Sequence, residues 1–196
     1  STIRGIEVLV IDHLQELLVP GNKKKLALQK ISPQPFTTTS PPPRVSVFAH
    51  IVGQEKAKRA IVLAAAGGHH LLMVGPPGSG KTQLAQTLPE LLPPLSEQES
   101  IELTALHSIA GLSPQSLVQE RPFRSPHHSI SRTGLLGGGN PLQPGELSLA
   151  HHGVLFLDEL LEFPGNLLDM LRQPIEEKRV TLSLSSGHTS FPASTT

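Results

Sequence analysis

Gly75-Pro76-Pro77-Gly78-Ser79-Gly80-Lys81-Thr82 sets glycines, a lysine and a hydroxyl in the order G-x-x-x-x-G-K-[ST]. That spacing suits one chemistry, the cradling of a nucleoside triphosphate's phosphates. Glycines let backbone N–H groups turn inward around the β-phosphate, and a helix beginning at the lysine adds partial positive charge. The whole octet is read as cofactor-binding. Lys81 is expected to reach the β- and γ-oxygens, and the Thr82 hydroxyl to take a place on Mg²⁺. Farther along, the apolar run Val154-Leu155-Phe156-Leu157 leads straight into Asp158-Glu159. Asp158 is assigned to magnesium beside Thr82, and Glu159 to polarising the attacking water. An Asp-Glu pair alone reads as a solvated strand end. An apolar strand ending on it, downstream of a phosphate loop, favours chemistry. Lys81, Asp158 and Glu159 are the catalytic candidates, with ATP and Mg²⁺ as the implied ligands.

These residues need elements to hold them. Leu71-Leu72-Met73-Val74 reads as a short buried strand, and Gln83-Leu84-Ala85-Gln86-Thr87-Leu88 as the start of a helix that Pro93-Pro94 ends. Ala57, Ala60, Ile61 and Ala64 share one face of a helix before the loop, with Gly67 as its stop. Ser96 and Glu99 form a capping box for the next helix. Residues 111–145 are irregular and rich in Gly, Pro, Ser and His, which marks a functional or mobile loop. Residues 166–172 read as helical. Residues 179–184 and 188–191, separated by Ser185-Ser186-Gly187, read as a β-hairpin.

The chain has 196 residues, enough for one domain and an appendage. Sixteen basic and sixteen acidic residues leave no net charge to advertise a nucleic acid or a membrane. With no cysteine there is no disulfide framework and no thiolate zinc site. No apolar stretch reaches spanning length and no secretory pattern opens the chain, so a cytoplasmic location is expected. Ile3, Ile6, Val10, Leu14 and Leu17 recur at helical spacing, so residues 1–20 read as one amphipathic helix. Residues 21–44 hold Lys23-Lys24-Lys25 and a cluster of prolines. They read as a linker, independent of the core that occupies 45–196. The lysine triplet reads as solvated rather than as a DNA contact.

Ten histidines include the adjacent pairs at 69–70, 127–128 and 151–152. Neighbours on a strand point to opposite faces, so such a pair seldom supplies two ligands to one ion. Loop-structuring hydrogen bonds are the expectation, and no metal is assigned to them.

Residues 52–60, Ala64-Ala65-Ala66-Gly67-Gly68-His69 and the phosphate loop together resemble the magnesium-chelatase-like AAA+ ATPases. Arg121-Pro122-Phe123-Arg124-Ser125-Pro126-His127-His128, Gly137-Gly138-Gly139, residues 144–151 and Leu171-Arg172-Gln173-Pro174-Ile175-Glu176 are most similar to its YifB/ComM branch. The resemblance covers roughly residues 45–193. It implies an α/β fold, the P-loop AAA+ αβα sandwich with a mainly parallel sheet. It also implies a helix-2-type insertion, matched to 111–145, and a pre-sensor-1 β-hairpin, matched to 179–191. It implies a ring-forming ATPase, hexameric in the family. The competence-associated branch resembles DNA motors of branch migration, and the head of the family is a chelatase subunit. Residues 1–20 would then be the remnant helix of an upstream domain.

The family's sensor-1 strand, arginine finger and helical lid have no counterpart before Thr196. The core is accordingly expected to be partial and its hydrolysis weak or absent in isolation. His70 and His152 stand where the family usually carries Asn, and Leu184 where the hairpin tip commonly carries Arg. DNA contacts, if made, fall to Arg121, Arg124, Arg132, Lys178 and Arg179, whose other reading is structural or interfacial. Three functions stay open: a DNA-translocating ATPase module, a chelatase-type subunit, and a nucleotide-binding remnant without turnover.

Overall fold

The computed structural model describes residues 47–112, 114, 116–184 and 187–196. The helix expected over 1–20 and the linker over 21–44 lie outside the described residues.

Helix α1 (Glu55–Gly67) buries Ile61, Ala64 and Ala65, the face that its alanine spacing predicts. It stops one residue later than expected. Gly68, at φ 61, is the left-handed residue, and its N–H reaches the Ala64 carbonyl. The single helix expected after the phosphate loop is two short ones, α2 (Lys81–Gln86) and α3 (Leu88–Leu91). Pro89 has no N–H to continue the ladder. The Thr87 hydroxyl instead donates to the Leu84 carbonyl at 2.7 Å. Helix α4 (Glu97–Ile109) starts with the predicted capping box. The Glu99 N–H donates to Ser96 Oγ at 3.3 Å, and the Ser96 N–H to Glu99 Oε2 at 2.8 Å.

The parallel sheet is short. Strand β1 (Phe123–Arg124) pairs with β4 (Val154–Leu155), Phe123 opposite Val154 and Arg124 opposite Leu155. On its other edge β4 bonds the final residues. Leu155 N–H donates to Thr196 O at 3.2 Å, and Thr196 N–H to Gly153 O at 3.0 Å. The side chains of β4 alternate as strand geometry requires. Val154 enters a cluster with Ile61, Ala65, Leu84 and Leu88 on one face. Leu155 packs on a cluster of Leu135, Leu136, Leu147, Phe163, Leu167, Leu171, Val180 and Ala193 on the other. Helices on both faces of a parallel pair make the architecture α/β.

Two local expectations need correction. Residues 71–74 are not a buried strand. They form no ladder, and Leu72 and Val74 are 73% and 90% exposed while Met73 packs beside Val154's cluster. A strand is completed by a neighbour's backbone groups, and no described strand lies in register with this segment. Conversely, β1 falls inside the stretch that reads as one irregular loop. Two residues after a proline offer no alternation to detect.

The second cluster is built by the remaining elements. Helix α5 (Arg132–Leu136) is capped by Ser131 Oγ, which accepts from Gly134 N–H at 3.1 Å. Strands β2 (Gly137–Gly138) and β3 (Gln143–Pro144) pair antiparallel ahead of α6 (Glu146–Leu149). Helix α7 (Gly165–Glu177) extends well past the expected span and contains Pro174 near its end. It buries Leu167 and Leu171, one turn apart. Strands β5 (Arg179–Leu184) and β6 (Gly187–Pro192) form the expected hairpin, with Val180 opposite Phe191.

Leu171→Ala should cost about 2–5 kcal/mol, as truncation in a filled core does. Leu161→Ala, at a side chain 97% exposed, should stay within about 0.5 kcal/mol. Denaturant melts compare them, and equal effects would place the core elsewhere.

Candidate nucleotide site

The loop from Gly75 to Thr82 is shaped by two left-handed glycines, Gly78 at φ 74 and Gly80 at φ 83. A side chain at either would strain that backbone. Lys81 opens α2, and its ammonium donates to the carbonyls of Gly75 and Pro76, both at 3.0 Å. Thr82 follows on the same turn. Its hydroxyl donates to Asp158 Oδ2 at 3.1 Å, across 76 residues of sequence. Asp158 Oδ1 accepts from the Glu159 N–H at 3.0 Å. Two shared neighbours thus fix the Asp158 carboxylate beside the loop. A hydroxyl and a carboxylate oxygen side by side are hard oxygen ligands, the donor set that Mg²⁺ prefers. The residues fit a Mg·nucleotide, and Lys81, Thr82 and Asp158 would hold it.

Glu159 stands apart from this arrangement. Its backbone is left-handed, φ 52, and its carboxylate is mostly exposed. The basic side chain beside it is His128, whose Nδ1 lies 3.6 Å from Glu159 Oε2. A second residue outside the motifs also touches the site: the side-chain amide of Gln54 donates to the Ser79 carbonyl in the loop. Sequence spacing signalled neither contact. Gln54 lies 25 residues from Ser79, and His128 reads only as one of an adjacent histidine pair that structures a loop.

The arginines that precede His128 have internal partners. Arg121 donates to the carbonyls of Pro93 and His152 and lies 3.7 Å from Glu99 Oε2, its side chain 12% exposed. Arg124 holds Glu146 with two hydrogen bonds of 2.6 Å, and that carboxylate pushes the guanidinium pKa up. These partners support the structural reading of both arginines. Arg132, Lys178 and Arg179 are exposed.

The pair His151-His152 sits in the turn before β4, not on a strand, so its rings do not diverge. They lie against each other, centroids 3.7 Å apart and planes tilted by 37°, and face α4 together. His152 Nε2 is 3.1 Å from Glu102 Oε2, and its Nδ1 is 3.4 Å from Glu99 Oε1. His151 Nε2 lies 3.6 Å from the same Glu102 oxygen. His152 occupies the left-handed region at φ 57, where Asn, Asp and His are enriched over other non-glycine residues. Ligand atoms of Glu102, His151 and His152 all lie within 4.8 Å of one another. The tautomer nevertheless opposes a metal. His151 Nδ1 accepts the Ser194 N–H at 3.0 Å, which puts the ring hydrogen on Nε2. A nitrogen bearing hydrogen has no lone pair to offer, and the cluster reads as a clasp between α4 and the turn.

A family model described as magnesium chelatase, subunit ChlI, matches residues 47–196. The chain is 45% identical over 185 residues to the uncharacterised protein YifB of Salmonella typhimurium, covering 94% of this chain and 36% of that protein. It is 50% identical over 147 residues to the competence protein ComM of Haemophilus influenzae, covering 73% of this chain and 28% of that one. The chain thus spans about a third of the length of YifB. Among solved structures, a BchI–BchD complex of magnesium chelatase from a cryo-EM reconstruction superposes with a TM-score of 0.58. The identity there is 23%, over 74% of this chain and 51% of that one, a likeness of fold. No helix among the described residues is long and apolar enough to cross a membrane.

The clasp generates a pH dependence. Burial, then the neighbouring His152, pushes the His151 pKa down to about 4 from 6.5. The unfolded chain therefore takes up a proton between those values while the folded chain does not. Stability is full above pH 6.5 and falls as pH drops towards 4, by about 3 kcal/mol at most. Glu99 and Glu102 add losses of the same sign at lower pH. Burial opposes ionisation of Glu99, but hydrogen bonds from Ser96 and the charge of Arg121 hold its pKa low. The hydrogen bond to His152 leads in lowering that of Glu102. Thermal melts from about pH 7.5 to 4 should show the slope, and His151→Phe should flatten it between 6.5 and 4.

Proposed function

The chain belongs to the family of magnesium chelatase subunit ChlI, and on that premise we propose that residues 47–196 bind Mg·ATP and contribute the hydrolytic residues of a ring-forming DNA motor. The observation that carries the reading is the 3.1 Å contact of Thr82 with Asp158. It joins the phosphate loop to the carboxylate that a magnesium site requires.

Each residue has a separable role. Lys81 supplies fixed positive charge at the mouth of the loop, where phosphate oxygens accumulate negative charge. Thr82 and Asp158 offer the cation one neutral and one anionic oxygen. Glu159 orients and polarises water for attack. Bound Mg²⁺ would neutralise phosphate charge and align the γ-phosphoryl for displacement. Gln54 and Ser79 brace the loop, so the lysine's position survives the absence of any side chain at Gly78 and Gly80.

The DNA assignment leans on the likeness to ComM and on where exposed cations remain. Arg132 and Arg179 line one small cavity against α7 and the hairpin, and Lys178 adjoins it in sequence. Three such residues can neutralise phosphates without any net charge on the chain.

Titration with a fluorescent ATP analogue should show Mg²⁺-dependent binding that Lys81→Ala weakens at least about tenfold, the scale of removing one charged hydrogen bond. In a chain extended through the family's arginine finger and lid, Glu159→Gln should bind as the parent does and hydrolyse no ATP above background. Binding indifferent to both Mg²⁺ and Lys81 would refute the site. In a separate assay, R132A/K178A/R179A should lower the salt slope of DNA binding by about one unit for each phosphate that is no longer neutralised. An unchanged slope would remove DNA from the proposal and leave the chelatase-type role.

A further inference from the structure

We infer that His128 is a positioning residue for hydrolysis, holding the Glu159 carboxylate in the orientation from which it acts on water. The inference rests on the proposed role of Glu159 as the water-polarising group.

Three observations fix the imidazole independently of Glu159. The turn that carries it is closed by the Ile130 N–H, which donates to the His127 carbonyl at 2.9 Å. The His127 ring lies against the His128 ring, centroids 3.9 Å apart. Phe163, a buried core side chain, meets it edge-on at 6.4 Å. His127 is itself held, its Nδ1 accepting the Ser129 N–H at 3.2 Å. The ring is therefore set by its surroundings, and the nitrogen it presents to Glu159 is Nδ1, 3.6 Å from Oε2.

Glu159 has the opposite character. Its side chain is 68% exposed, and a free glutamate side chain has many rotamers to lose. Asp158, one residue earlier, has its two oxygens occupied by Thr82 and by the Glu159 N–H. His128 gives the second carboxylate a fixed partner as well. A rigid group that orients a flexible catalytic one lowers the entropy of reaching a productive geometry. Among the described residues no Lys or Arg pairs with Glu159, which leaves His128 as its neighbour.

The choice of nitrogen makes the inference testable. Asparagine places its amide N–H at the distance from Cα that Nδ1 occupies, whereas glutamine reaches as far as Nε2. Phenylalanine keeps the ring contacts with His127 and Phe163 and removes both nitrogens. In a chain extended through the family's arginine finger and lid, His128→Ala should lower kcat by about tenfold, the lower end for losing a partner that orients a catalytic ligand, with nucleotide affinity unchanged. His128→Asn should restore most of kcat, while His128→Phe and His128→Gln should not. Rescue by Phe as good as by Asn would show a packing role and overturn the inference. A second readout needs no turnover. In ring-labelled protein, Glu159→Gln should shift the His128 imidazole resonances, and coincident spectra would equally overturn it. If Glu159→Gln hydrolyses ATP like the parent, the role of Glu159 itself has failed instead.

Discussion

The meeting of Thr82 and Asp158 is the constraint on which the rest of this structure depends. The two side chains are short, so their backbones must be held close without help from reach. Thr82 is placed by the turn from the phosphate loop into α2. Asp158 is placed by β4, which is only two residues long yet bonded on both edges. The strand is further pinned through its faces, because Val154 and Leu155 enter different apolar clusters. A slip of one residue would exchange those faces and carry Asp158 away from the loop.

Around this centre, ionic side chains are largely committed to each other. Arg121 ties the approach to β1, the start of α4 and the turn before β4 into one network with Glu99 and His152. Arg124 and Glu146 bind β1 to α6. Partly buried, doubly hydrogen-bonded pairs of this type fix orientation more than they add stability. They explain how a domain with a two-residue parallel ladder keeps its register. The consequence for function is that Arg121 and Arg124 are not free charge, and that the hairpin side of the molecule is where Arg132, Lys178 and Arg179, the last beside Glu177, are exposed to solvent.

How much of this was legible in the sequence follows from the range of each interaction. The capping box, the α1 face, the hairpin and the phosphate loop are local patterns, written within a few residues of one another. Thr82 and Asp158 were legible as a pair because each sits in a motif whose chemistry demands the other. Gln54 on Ser79 and His128 on Glu159 belong to no such pattern, since only the folded chain brings them together. Residues 71–74 depart from expectation for the complementary reason. Their composition suits a strand, but a strand depends on its neighbours' hydrogen bonds. The histidine pair at 151–152 structures a turn as expected, but for another reason than strand alternation, since both rings face the same helix.

Gly153 stands where the turn becomes β4, and a β-carbon there would run into the carbonyl oxygen and ring of Pro122, the residue just before β1. Glycine is the smallest residue, so every amino-acid replacement at this codon adds bulk in the direction of that backbone. No conservative substitution exists, and polarity or charge hardly enters. Position 153 thus has no neutral neighbours in sequence space, although it takes no part in chemistry. Drift can reshape the loops around the site while this point holds the spacing of the two strands, and with it the place of Asp158.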